Sequence, residues 1–95
     1  MSITIAGKKC SLNATKFNIN FRSSLTHLPD SIGQLTNLIE LDIHNNNLTC
    51  LPNSIKQLTN LTHLFIYNNQ LTQLPYSIPQ LTNLTYLNIS SNQLT

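Results

Sequence analysis

Residues 25–47 read LTHLPDSIGQLTNLIELDIHNNN, and variants of this block begin again without a gap at residues 48 and 71. The apolar positions therefore coincide at intervals of 23 residues, as in Leu41, Leu64 and Leu87. A fixed period of roughly 20–50 residues indicates a solenoid, in which each unit buries its apolar face against its neighbours. The period predicts a short right-handed α/β solenoid of three full repeats, shaped as a slab with a parallel sheet on its concave side.

Within each repeat the pattern predicts one short strand, an extended arm and a single helical turn. Leu64-Phe65-Ile66 alternates inward and outward positions with the period of two that is typical of a strand, and the matching segments are 41–43 and 87–89. Serine followed three residues later by glutamine is a capping-box pattern, which predicts a helical turn starting at each of Ser31, Ser54 and Ser77. The asparagine after each strand is expected to be buried in a structural ladder of Asn46, Asn69 and Asn92.

Each block also contains Leu-x-x-Leu-x-Ile-x-x-Asn-x-Leu, which is the signature of the leucine-rich repeat. The arm Leu-Pro-x-Ser-Ile-x-Gln-Leu-Thr-Asn-Leu resembles the 23-residue "typical" repeats of the Ras-group and Scribble-like intracellular leucine-rich repeat proteins, over residues 25–95. The resemblance implies a slab that binds other proteins. It does not specify the partner, because one fold supports many binding functions.

Residues 1–24 do not follow the repeat and are predicted to form a divergent N-terminal β cap on the repeats of residues 25–95. The segment 3–12 predicts an additional strand or hairpin. A clean alternation of apolar and polar residues predicts a first strand, one residue out of phase with the repeats, at Phe17, Ile19 and Phe21.

The last repeat is predicted to have no C-terminal cap. Its apolar side chains would then lie on an uncovered face, and terminal repeats need a polar outer face for solubility. The sequence therefore predicts a homo-oligomer, either a dimer or a dimer of dimers, formed through Leu84, Leu87, Ile89 and Leu94.

Composition and charge argue against several classes of function. The 95 residues fit one domain, and a net charge of +2 is too weak for a nucleic-acid partner. No secretory signal or membrane-spanning run is recognisable, so no membrane partner is expected. Cys10 and Cys50 form no paired framework, which indicates free thiols and a cytoplasmic location. No phosphate-binding glycine loop or base beside a cysteine is recognisable, and we expect no enzyme activity, metal or cofactor.

The outward positions of the three strands define the predicted binding surface. Phe65, Tyr67 and Tyr86 should be neighbours there, and aromatic clusters are enriched at the cores of protein interfaces. Glu40 and His63 are expected to pair across adjacent strands, which lie ~4.8 Å apart. The complete predicted concave face comprises Glu40, Asp42, His44, His63, Phe65, Tyr67, Tyr86, Asn88 and Ser90.

Three functional interpretations follow from these features. The first is a non-enzymatic protein-interaction module that serves as a regulatory subunit or scaffold in signalling. The second is a purely structural, self-assembling unit. The third rests on residues 16–21, which resemble the motif by which regulators dock on the catalytic subunit of type-1 protein phosphatase, through Lys16, Ile19 and Phe21. This segment departs from that motif in having two residues between Lys16 and Ile19, and Ile19 and Phe21 are expected inside the cap.

Overall fold

The strands of the molecule are short and pair in two separate sheets. The computed structural model describes residues 1–5, 7–19, 25–72, 78 and 81–92. Its strands are β1 (Ser2–Ile5), β2 (Lys8–Ser11), β3 (Lys16–Asn18), β4 (Glu40–Asp42), β5 (His63–Phe65) and β6 (Tyr86–Asn88). β1 and β2 form an antiparallel hairpin, and the other four strands are parallel in the order β3-β4-β5-β6. Two 3₁₀ helices, Asp30–Gln34 and Asn53–Gln57, follow β3 and β4 in the chain.

The parallel sheet has the register that the repeat predicts. Leu41 pairs with Leu64 and Leu64 with Leu87, whereas Phe17 pairs with Leu41 and is therefore one residue out of phase, as predicted. The strands β4, β5 and β6 begin and end one residue earlier than predicted. This difference is confined to the boundaries, because the N–H of Ile43, just beyond β4, still donates to a β5 carbonyl oxygen at 2.8 Å.

The core lies between the parallel sheet and the 3₁₀ helices. Burying one large apolar side chain stabilises a fold by roughly 1.5–3 kcal/mol, and stacked repeats bury many of them together. The chain forms a slab with principal extents of 37 × 29 × 18 Å. Fully buried side chains from the two elements include Leu41, Ile43, Leu64 and Ile66 of the strand segments and Ile32 and Ile55 of the helices.

The expected helical turns are present in the first two repeats, but the prediction of how they begin is wrong. Each helix begins one residue before the serine, and the residues at the N-cap position are Pro29 and Pro52, whose side chains make no capping hydrogen bond. The serine is thus already the second helical residue and cannot cap the helix. The Ser54 hydroxyl is buried and has no hydrogen-bond partner within the described part of the chain. The turn predicted at Ser77 lies outside the described residues.

Gly33 lets the first 3₁₀ helix pack closely against the second. A Cβ atom at this position would lie 2.8 Å from the Ser54 carbonyl oxygen and would also collide with the Gln57 side chain. The contact between these two repeats therefore leaves no room for a larger residue. Across the described ranges, no helix is long and apolar enough to cross a membrane.

The N-terminal hairpin contributes side chains to the core of the repeats. β1 and β2 pair along their whole length, and the turn between them contains Gly7 at φ 80°, a backbone conformation that favours glycine. Ile5 and Cys10 are buried in the same core as Phe17. The hairpin expected between residues 3 and 12 is present, and its role as a cap stays a prediction.

Candidate functional site

Asn69 links two neighbouring repeats through four hydrogen bonds. Its Nδ2 donates to the carbonyl oxygens of Ile66 and Tyr67, at 3.1 and 3.2 Å, within its own repeat. The same amide donates to the Ile43 carbonyl oxygen of the preceding repeat at 3.0 Å. Its Oδ1 accepts from the Leu48 N–H, also at 3.0 Å. All four partners are backbone groups, so this buried side chain holds the strands in position.

The same arrangement recurs before and after Asn69. Asn46 donates to the Ile19 carbonyl oxygen at 3.0 Å, and Asn92 donates to the Ile66 carbonyl oxygen at 3.0 Å. Asn92 also accepts from the Leu71 N–H at 3.0 Å. Each of these three asparagines therefore donates a hydrogen bond to a carbonyl oxygen of the preceding strand segment. They form the asparagine ladder that holds the strands of the concave face in register.

A second series of links crosses the repeats at the start of each strand. Asn60 donates to the Thr36 carbonyl oxygen at 3.2 Å, and Asn83 donates to the Thr59 carbonyl oxygen at 2.8 Å. The Thr62 hydroxyl donates in the same direction, to the Ile39 carbonyl oxygen at 3.2 Å. The bonds of Asn60 and Asn83 give a structural role to the asparagine of the recurring Leu-Thr-Asn-Leu segment in the second and third repeats.

The outward side chains of β4, β5 and β6 share one face of the parallel sheet, which we call the concave face. Those of the first two repeats are half-buried, since neighbouring side chains shield each other. Tyr86 and Ser90 of the third repeat are exposed, and Asn88 is half-buried with its Oδ1 accepting from the Ser90 hydroxyl at 2.8 Å. The structure thus brings the predicted residues onto one continuous surface.

Three rings form a cluster on this face, which we call the ring cluster. Phe65 and Tyr86 have ring centroids 5.2 Å apart in a tilted arrangement, and His63 lies 6.1 Å from Phe65 and 6.0 Å from Tyr86. Such separations are typical of favourable aromatic pairs. The Nδ1 atom of His63 lies 2.8 Å from the Thr62 hydroxyl oxygen, which further fixes the imidazole.

A second group of polar and aromatic side chains lies beside the ring cluster. His44 stacks on Tyr67 with ring centroids 4.5 Å apart and planes inclined by 5°. The imidazole Nδ1 of His44 also contacts Asp42 Oδ1, and its main-chain N–H donates to the same oxygen at 3.3 Å. Asp42, His44 and Tyr67 therefore form one connected group across β4 and β5.

The expected pairing of Glu40 with His63 is only partly realised. The two residues are opposite each other in the register of β4 and β5. The imidazole of His63 nevertheless contacts Thr62 and the neighbouring rings, and no ion pair joins it to Glu40. The Glu40 carboxylate therefore lies at the border of the concave face without a fixed cationic partner from β5.

No cluster of three or more histidine, cysteine or acidic side chains suited to a metal ion occurs within the described residues. Cys50 is exposed on the arm after β4, whereas Cys10 is buried. Burial raises the pKa of the Cys10 thiol and the nearby Lys8 ammonium lowers it to a smaller extent, so Cys10 stays protonated at neutral pH.

The edge formed by β6 differs from the interior of the sheet. Leu84, Leu87 and Ile89 are half-buried, although the matching side chains of the second repeat, Leu61, Leu64 and Ile66, are fully buried. β6 pairs with β5 on one side, and its other edge has no strand among the described residues. Leu94, the fourth residue predicted at this interface, lies outside the described residues.

The segment proposed to dock on the phosphatase begins in β3, and its isoleucine is buried just after that strand. Ile19 is 2% exposed, and its N–H donates to the Asp42 carbonyl oxygen at 2.8 Å. Lys16 is exposed, and Phe21 lies outside the described residues. Docking through Lys16, Ile19 and Phe21 would require this segment to leave the sheet, because a buried isoleucine cannot contact a partner.

This fold and the asparagine ladder define a class of repeat protein. The sequence pattern of the family described as "Leucine-rich repeat region" matches residues 16–94. The chain belongs to the leucine-rich repeat proteins, a family whose slabs present extended surfaces to other proteins. A comparison with curated protein sequences gave no match.

Three solved structures of leucine-rich repeat proteins resemble the chain. A leucine-rich repeat protein of Leptospira interrogans is 48% identical, with a TM-score of 0.72 over 74% of this chain and 18% of that chain. An internalin of Listeria monocytogenes is 33% identical, with a TM-score of 0.63 over 70% and 19% of the two chains. The ectodomain of the receptor kinase SOBIR1 of Arabidopsis thaliana is 35% identical, with a TM-score of 0.67 over 80% and 44%. This chain thus spans less than half of each, and the narrower Ras-group resemblance stays a prediction.

Proposed function

We propose that the chain is a non-enzymatic module that binds another protein through its concave face. The observation that carries this proposal is the ring cluster of His63, Phe65 and Tyr86, since Tyr86 is still 48% exposed and Phe65 is half-buried. Aromatic side chains of this kind are over-represented among residues that dominate binding energy. A partner that covers the ring cluster would bury apolar area that water now contacts.

The contacts within the concave face favour binding for a second reason. The rings of the ring cluster touch one another, and the stacked pair of His44 and Tyr67 is held by Asp42. Side chains that are already ordered lose less conformational entropy when a partner binds. The carboxylates of Glu40 and Asp42 border the rings, which favours a partner with cationic groups near an apolar centre.

We further propose that the module works in the cytoplasm as a regulatory subunit or scaffold. The support is that Cys10 and Cys50 are both free. Free thiols are typical of proteins kept in a reducing compartment.

The test of the concave face is a double variant, Phe65→Ala with Tyr67→Ala, assayed against a protein captured by the immobilised parent chain. Removing two anchors should weaken binding by at least ~2 kcal/mol, or about thirtyfold in Kd. The matched control is Lys56→Ala with Thr59→Ala, two exposed residues in and just after the second 3₁₀ helix, on the opposite face of the slab. If the folded double variant binds as tightly as this control, the site lies elsewhere.

We also propose that the 95-residue chain self-associates through the β6 edge. The support is the incomplete burial of Leu84, Leu87 and Ile89. Covering three half-buried side chains would contribute about 2–4 kcal/mol. A second copy related by a two-fold axis would pair antiparallel with β6 and cover the same side chains reciprocally, which gives a closed dimer.

Light scattering tests this self-association. Leu87→Asp with Ile89→Lys should convert the parent assembly to monomers of lower stability, because the apolar edge becomes charged. Thr36→Asp with Thr59→Lys carries the same charges at exposed polar positions in the first two repeats and should keep the parent size. A parent chain that is monomeric at micromolar concentration, or an edge variant that keeps the parent size, would refute the proposal.

A further inference from the structure

A cleft lies between the N-terminal hairpin and the first strand of the parallel sheet. Every residue of β2 and of β3 lines it, together with Glu40, and its volume is about 370 Å³. That volume falls within the range of roughly 300–1,000 Å³ that is typical of ligand pockets. Because β2 pairs with β1 and β3 with β4, the cleft separates two strands that belong to different sheets.

The cleft concentrates the positive charge of the molecule. Three lysines line the cleft, namely Lys8, Lys9 and Lys16, and among the described lining residues Glu40 alone carries a carboxylate. The whole chain has five lysine and arginine residues and a net charge of +2. All three lysines are exposed. A concave surface lined mainly by one sign of charge attracts ligands of the opposite sign.

One of these lysines holds the two walls of the cleft together. The Lys8 ammonium donates to the Asn18 carbonyl oxygen and lies 5.5 Å from the centroid of the Phe17 ring, so it bridges β2 to β3. Lys9 and Lys16 make no ion pair among the described residues. Their charges are therefore available to a ligand that enters the cleft.

We propose that this cleft binds an acidic, extended peptide segment of a partner protein. The four residues of β2 extend for about 10 Å, at ~3.4 Å per residue, which suits an extended segment of three or four residues. Lysine ammonium groups are single point charges and not planar forks, so spaced lysines match successive carboxylates along a peptide better than one compact anion. Among the described residues that line the cleft, Phe17 alone carries an aromatic ring, and it is buried, so these residues offer no exposed ring on which a nucleic-acid base could stack.

Fluorescence anisotropy with a labelled hexaglutamate peptide tests this proposal, with hexaglutamine as the neutral control. The parent should bind hexaglutamate and not hexaglutamine, and Lys9→Gln with Lys16→Gln should weaken binding about tenfold. Lys56→Gln removes a charge outside the cleft and should weaken it less than twofold. The concave-face variant Phe65→Ala with Tyr67→Ala should bind the peptide normally, which separates this site from the proposed function.

Three outcomes would overturn the proposal. Equal losses in the cleft variant and in Lys56→Gln would mean that net charge alone attracts the peptide. Absence of binding at millimolar peptide and low salt would mean that the cleft has no such ligand. Complete displacement of hexaglutamate by millimolar inorganic phosphate would identify a small-anion site in place of a peptide site.

Discussion

Replacing Asn69 by alanine should strongly destabilise the chain. The substitution removes three donor contacts, to Ile43, Ile66 and Tyr67, and leaves the buried Leu48 N–H without its acceptor. The amide has two N–H groups, so its three donor contacts count as two bonds, and the bond accepted from Leu48 makes three. A net contribution of roughly 0.5–1.5 kcal/mol for each bond gives a loss of about 1.5–4.5 kcal/mol. Domains of this size have total stabilities of roughly 5–15 kcal/mol, so the variant approaches the limit of folding.

Urea unfolding followed by circular dichroism measures this effect on the free energy of unfolding. Asn60→Ala is the matched control, because it removes the same group from an exposed site with one bond to Thr36 and should cost less than ~1 kcal/mol. If Asn69→Ala does not fold, Asn92→Ala gives an intermediate loss at the half-buried end of the ladder. Equal midpoints for Asn69→Ala and Asn60→Ala would show that the ladder does not stabilise the slab in the way its hydrogen bonds indicate.

Three further predictions concern the packing of the repeats and the two thiols. Gly33→Ala should lower the free energy of unfolding by about 1–3 kcal/mol, because the new Cβ atom would collide with Ser54. Gln34→Ala, at an exposed neighbouring site, should change the free energy of unfolding little. Equal thermal midpoints for the two variants would contradict the close contact at Gly33. At pH 8, iodoacetamide should modify exposed Cys50 well before buried Cys10, as read by mass spectrometry. Burial raises the pKa of the Cys10 thiol above its ordinary value of 9.0. The contribution of this thiol to the free energy of unfolding is therefore present below pH 9.0 and is lost as the pH rises further, because the unfolded chain gives up the proton first. Cys10→Ala should reduce this loss.

The fold could be predicted because the repeat fixes which residues face inward. Leu41, Leu64 and Leu87 coincide in sequence and are paired in the sheet, and even the shift at Phe17 followed from alternation alone. The placement of the concave face follows from the same period of two. The inward or outward position of each strand residue follows from its spacing, which can be read directly from the sequence.

The contacts within the concave face could not be predicted in the same way. Spacing places His63 opposite Glu40, but the side-chain rotamer turns the imidazole toward Thr62 and the neighbouring rings. Asp42, at the end of β4, and His44, two residues later, meet instead. Rotamers depend on the packing around each side chain, which the repeat pattern does not specify.

The helix starts and the turns after the strands show two other limits. The serine and glutamine matched a capping box, but Pro29 occupies the N-cap and shifts the start of the helix. The residue before each ladder asparagine adopts a left-handed conformation, with φ of 60° at Asn45, 58° at Asn68 and 57° at Ser91. Asparagine tolerates this region better than most residues, so Asn45 and Asn68 favour the turn that follows each strand.

The direction of the ladder bonds bears on how such a chain can change its length. The Asn69 side chain donates to the Ile43 carbonyl oxygen and accepts from the Leu48 N–H. Asn92 makes the matching bonds one repeat later, to the Ile66 carbonyl oxygen and from the Leu71 N–H. A duplicated block of 23 residues inserted between two repeats would thus bring its own ladder asparagine together with the bonds of that asparagine. Deleting a block would remove both together. A gene that encodes this architecture can therefore lengthen or shorten by whole blocks while the asparagine ladder remains continuous.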